Sequence, residues 1–177
     1  MTPAEHLRPL VPLIGRWRSS GTILAEDGSV IGDIKGTDMY TWLPGGHWVV
    51  HEVDVMMGEE HTQALELIGG QDEASGGWQM HAFDAADSPG RMSLTLHEPG
   101  VLLLQGDGVR SWFRPEAGPD HMATLWEREV NRQWVRWMRM RFDRDSAVGR
   151  VRFLTPAACR PDGDPIRLNP DCRNKPV

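Results

Sequence analysis

The sequence predicts an all-β protein: one up-and-down antiparallel barrel of about ten strands, with a short N-terminal helix and an irregular C-terminal tail. Three observations point there. Short extended runs recur between Gly15 and Phe142, each ended by a cluster of turn residues. The links are hairpin-sized, too short for the crossover helices that parallel strands require. A meander of that length leaves two open edges, and closure removes them.

The elements follow in order. Thr2-Pro3-Ala4-Glu5 reads as a helix start, with a cap residue, a proline at the first helical position and an acid that reaches back. Pro9 and Pro12 interrupt this helix, so it is short and serves as a lid or plug. The extended runs fall at about 15–24, 30–43, 47–57, 62–69, 77–85, 91–97, 101–106, 109–114, 121–130 and 133–142. Their punctuation includes "AEDGS", "PGG", "GEEH", "GQDEASGG" and "NR". At 177 residues the chain forms one domain. Residues 1–142 are expected to form the barrel with its helical lid. Residues 143–177, rich in proline, arginine and aspartate, form an extended tail that wraps the barrel or joins a homodimer.

Composition narrows the function. A formal charge of −6 argues against nucleic acid as a partner. No apolar run approaches the roughly 20 residues that span a bilayer, so no membrane partner is expected. The N-terminus lacks a basic start and a cleavage site, which reads as a cytoplasmic protein. Cys159 and Cys172 both lie in the tail and are expected as free thiols there.

"LIGRWRSSG", residues 13 to 21, places Gly15 and Trp17 two apart at the first strand's start. This resembles the G-x-W opening of lipocalin-like (calycin) barrels. The ordered segments "WLPGGHWVVHEVDV", "ALELIGG" and "WQMHAFD" are similar to a bacterial lipocalin-like family of unknown function, itself distantly similar to nitrobindin-type haem barrels. The likeness covers about residues 10 to 142. It implies a tryptophan packed across the barrel base, with a glycine that lets the preceding chain come close. The nitrobindin side of it implies a haem held by a histidine near the barrel's C-terminal end. The last run, "WVRWMRMRF", contains no histidine.

Hairpin register decides which residues share a face. A turn at Gly45-Gly46 sets Trp42 opposite Val49 and Tyr40 opposite His51. The next link sets Val53 opposite Glu66, and the one after sets Glu66 opposite His81 and Ala64 opposite Phe83. One face then carries Tyr40, Trp42, His51, Glu66, His81 and Phe83, and the other carries Trp48, Glu52, Asp54, Trp78 and Met80. Continuing the register through "AEDGS" places Trp17 with the second face. A bulge in "VIGDIKGTD" would reverse that. The first face is taken as interior, because it gathers polar groups among apolar neighbours as a ligand cavity does. On the last hairpin, Asn131-Arg132 sets Glu127 opposite Arg136, on a face with Met138, Met140 and Phe142.

The expected function is binding of a small, largely apolar or aromatic molecule, lined by those six residues. The alternatives are an enzyme using His51, Glu66 and His81 for acid–base chemistry, and haem binding with His51 or His81 as a displaced axial ligand. No metal site is expected, since neighbours in "HEVD" point to opposite faces.

Overall fold

Ten strands follow one another in chain order: β1 (Gly15–Leu24), β2 (Val30–Trp42), β3 (Trp48–Met57), β4 (Glu60–Asp72), β5 (Gly77–Phe83), β6 (Gly90–Glu98), β7 (Val101–Gly106), β8 (Val109–Pro115), β9 (His121–Val130) and β10 (Gln133–Arg144). In this computed structural model the described residues are 2–72, 75–106, 108–115 and 118–145. Each strand pairs antiparallel with the next, and β1 also pairs with β10, which closes the barrel. The final strand runs to Arg144, two residues beyond the expected barrel boundary. Expectations for the tail beyond it, including Cys159, Cys172 and a tail-mediated homodimer, lie outside the described residues. Among the described residues no helix is long and apolar enough to cross a membrane.

The N-terminal element is a 3-10 helix, Glu5–Leu13, which contains both Pro9 and Pro12. Thr2 is not its cap: Ala4 occupies that position and no side chain caps it. Leu7, Leu10 and Leu13 are buried. A spacing of three matches the three residues per turn of a 3-10 helix, so the leucines form one stripe. That stripe plugs one end of the barrel, packed in a cluster with Trp17, Tyr40, Trp78 and Phe142. The Trp78 indole donates to the His6 carbonyl at 3.1 Å, and the Trp17 indole donates to the Leu13 carbonyl at 2.7 Å.

Arg144 fastens the plug to the last strand. Its guanidinium lies 4.1 Å above the Trp17 ring and donates to the carbonyls of Ile14 (2.6 Å) and Pro12 (2.9 Å). Gly15, at φ 135°, leaves room for this: a Cβ there would collide with the guanidinium. Trp17 thus packs at the barrel base as the resemblance implied, whereas the space left by Gly15 is taken by Arg144 rather than by the preceding chain.

Four bulges interrupt the register among the described residues; one is at His97 in β6, and the three in β2, β4 and β10 decide which residues of the row and its surroundings point inward. In β2, Ile31 is the extra residue between the pairs Ile23–Gly32 and Leu24–Val30. It turns Trp17 to the inner face, opposite Asp38. In β4, Gly70 is extra between Gly69–Gln79 and Gln71–Trp78, and it takes φ 62°. In β10, Trp137 is extra between Arg136–Glu127 and Met138–Trp126. Glu127 does oppose Arg136, but this bulge separates them from Met138, Met140 and Phe142, which line the interior. Glu127 binds Arg110 instead, at 2.6 Å.

Candidate functional site

Four adjacent strands bring one polar row to the inner face. Ser19 comes from β1, Asp38 from β2, His51 from β3 and Glu66 from β4. Tight links keep these strands in register. Gly58-Glu59 turns the chain so that Met57 meets Glu60 and His51 directly opposes Glu66. That is two residues tighter than the expected pairing of His51 with Ile68, and a shift of two preserves the face. Tyr40 opposes His51 as expected.

His51 sits between two carboxylates. Its Nε2 is 2.8 Å from Asp38 Oδ1, and its Nδ1 is 2.6 Å from Glu66 Oε2. The Ser19 hydroxyl donates to the other oxygen of Asp38. Asp38, Ser19 and His51 are buried, and Glu66 is half-buried. The Tyr40 ring stacks on the imidazole, with centroids 3.8 Å apart and planes 8° from parallel. Burial disfavours a charge on His51. The charges of Glu66 and Asp38 and their hydrogen bonds outweigh it, and the imidazole is pushed up to about 9. His51 is thus an imidazolium at neutral pH, donating from both nitrogens. Burial, and then the charges of Asp38 and Glu66, push the Tyr40 phenol well above its usual value, so it stays neutral.

The row opens on a cavity of about 330 Å³ inside the barrel. Tyr40, His51 and Glu66 line one wall, and Phe113, Trp126 and Met140 belong to the rest of the lining. The plug closes the end where β1 begins. Asp84, just past the end of β5, marks the other end of the lining.

Of the six sequence-expected residues, Tyr40, His51 and Glu66 meet at this cavity. Trp42 packs half-buried against the core and is not part of the lining. His81 and Phe83 lie on the outer face: His81 opposes Leu67, Phe83 opposes Leu65, and Phe83 is 44 % exposed. The bulge at Gly70 is the reason, since one extra residue flips every side chain beyond it. It also brings Trp78 and Met80, expected outside, into the buried core. Glu52 and Asp54 are exposed on the outer face, where Asp54 binds His61 at 2.7 Å.

Sequence reading missed Asp38 and Ser19. Asp38 was visible, because it stands two residues from Tyr40 and shares its face. Ser19 lay behind the Ile31 bulge, which falls in the "VIGDIKGTD" segment where a bulge was allowed for, but its effect was followed only as far as Trp17.

The row limits the chemistry. The expected His51–Glu66–His81 cluster does not form. An axial haem ligand needs a nitrogen lone pair, and both nitrogens of His51 face carboxylates while His81 is outside. These residues do not fit a haem. A general base also needs a free nitrogen, which His51 lacks. Glu66 Oε1 has no hydrogen-bond partner among the described residues, and neither do the buried Ser111 Oγ, Thr124 Oγ1, Trp126 Nε1 and Arg128 Nε.

No protein-family model matches the chain, and no curated protein matches it. Among solved structures, the chain is similar to the S-type phycobiliprotein lyase CPES from Guillardia theta. The TM-score is 0.52 over 77% of this chain and 90% of that one, at 10% sequence identity. At that identity the likeness shows the lipocalin-like barrel fold alone.

Proposed function

We propose that the barrel binds a small, largely apolar or aromatic molecule in its cavity, with its polar end against the row formed by Tyr40, His51 and Glu66. The observation that carries this is an apolar space of about 330 Å³ with one ionic row in its wall. That volume lies at the lower end of the range, about 300–1,000 Å³, in which small-molecule sites fall. Acid–base catalysis by His51 has less support, because both of its nitrogens are already engaged.

Neighbouring residues on β4 provide the test. Ala64 lines the cavity and Leu65 faces out. Titration with naphthylethanol, a neutral aromatic probe, should show saturable one-to-one binding by calorimetry. Ala64→Leu fills the cavity and should weaken it at least about tenfold, the order of a lost side-chain contact surface. Leu65→Ala should leave it unchanged. Equal effects of the two substitutions would place the binding outside the barrel.

A further inference from the structure

We infer that the cavity selects an amine: an apolar body bearing one ammonium or comparably strong donor, held by Glu66. This rests on the binding reading above and names the ligand's chemistry. The ionisable lining residues, Tyr40 aside, are Asp38, Glu66, Asp84 and His51, with no lysine or arginine among the lining. The imidazolium of His51 is spent between Asp38 and Glu66, at 2.8 and 2.6 Å. Three carboxylates against one cation leave the lining with a surplus of two negative charges. Asp38 has both oxygens engaged, by His51 and Ser19. Glu66 has one oxygen engaged and one free.

A free carboxylate oxygen in an apolar wall favours a cationic donor, because the low dielectric strengthens a charge-assisted bond. The same field repels an anion. Tyr40 lines the same wall, and its neutral hydroxyl has the capacity to accept a second hydrogen bond from such a group. Asp84, at the open end, adds attraction along the way in. The inward-facing base nearest that end is Arg128, which pairs across the sheet with the lining residue Val109 and whose buried Nε has no hydrogen-bond partner among the described residues. It does not line the cavity and has Glu26 3.9 Å away. Burying an ammonium has its own desolvation cost. Here Glu66 is 16% exposed, so part of that hydration is retained.

Three matched probes test this by calorimetry on the full chain at neutral pH: naphthylethylamine, naphthylethanol and naphthylpropanoate. The amine should bind at least about tenfold more tightly than the alcohol, as one charge-assisted bond predicts. The propanoate should bind more weakly than either. Glu66→Gln, isosteric and neutral, should shrink the amine's advantage over the alcohol to about threefold or less, and an undiminished advantage in this variant overturns the inference. Asp84→Asn, at the solvent end, should lower only the amine's association rate. If the propanoate equals or exceeds the amine, or the alcohol equals it, the amine inference fails while the binding reading stands. If none of the three binds, the binding reading fails and the inference falls with it.

Discussion

His51 is the residue on which the interior depends. Removing it would leave the Asp38 and Glu66 carboxylates buried without their shared cation. His51→Ala should therefore cost about 3–5 kcal/mol in urea unfolding at neutral pH, the usual penalty for breaking a buried pair. A cost below about 1 kcal/mol would mean that the imidazolium is not holding the two acids. The row also makes stability depend on pH. The folded chain keeps His51 charged until about 9, whereas the unfolded chain releases that proton near the ordinary 6.5. The folded state's surplus proton between those values makes the stabilisation complete below 6.5 and progressively lost as pH rises to 9. The loss is roughly 3 kcal/mol. Unfolding midpoints across that window should fall for the native chain and stay nearly flat for His51→Gln. At this scale the sequence was half legible. Tyr40 could be paired with His51, and Glu66 placed on their face, from short hairpin links, because such links fix which face a residue takes even where the register is two residues off. Their chemistry was missed because Asp38, whose direct partner is Val53, reaches His51 across a diagonal that was readable from the register but not followed.

Strands were legible as elements because turn residues punctuate them, and their bounds lie close to the runs read from sequence. Bulges were legible only in part: the one at Ile31 lies in the glycine-bearing segment where it was allowed for, whereas those at Gly70 and Trp137 leave no mark on composition. Gly70 shows the consequence: it moved His81 and Phe83 from the expected interior to the surface. Its φ of 62° and the nearby Trp48 ring both favour glycine there. Gly70→Val should therefore destabilise by about 1–3 kcal/mol, read from thermal or urea unfolding. An unchanged midpoint would mean that the bulge does not need its glycine. The plug gives a second element-scale expectation. Leu10 is fully buried in the 3-10 helix, so Leu10→Ala should cost about 2–5 kcal/mol. Arg144→Ala should loosen the same plug, and faster hydrogen exchange of the Trp17 and Trp78 indoles would report it. The helix was expected to be short because prolines end α-helices. It is short, nine residues, yet runs through both prolines because a 3-10 helix at a barrel end tolerates them, with its leucines rather than its hydrogen bonds holding it in place.

For the molecule as a whole, closure of β10 on β1 is complete by Arg144. A chain ending after residue 145 should therefore fold into the same barrel, with a cooperative thermal transition and an unchanged far-ultraviolet spectrum. Failure of that chain to fold would make the tail part of the core. The closed barrel also explains why the interior can hold a charged row at all. Each carboxylate is paired across neighbouring strands, and the plug keeps one end dry. The central claim is that a ligand sits inside this barrel, against the row. The most direct measurement is a set of intermolecular nuclear Overhauser effects between bound naphthylethylamine and the methyl groups of β4 and β5. The inner methyls of Ala64, Ile68, Met80 and Ala82 should show them. Effects confined to the outer methyls, such as those of Leu65 and Leu67, would contradict the account.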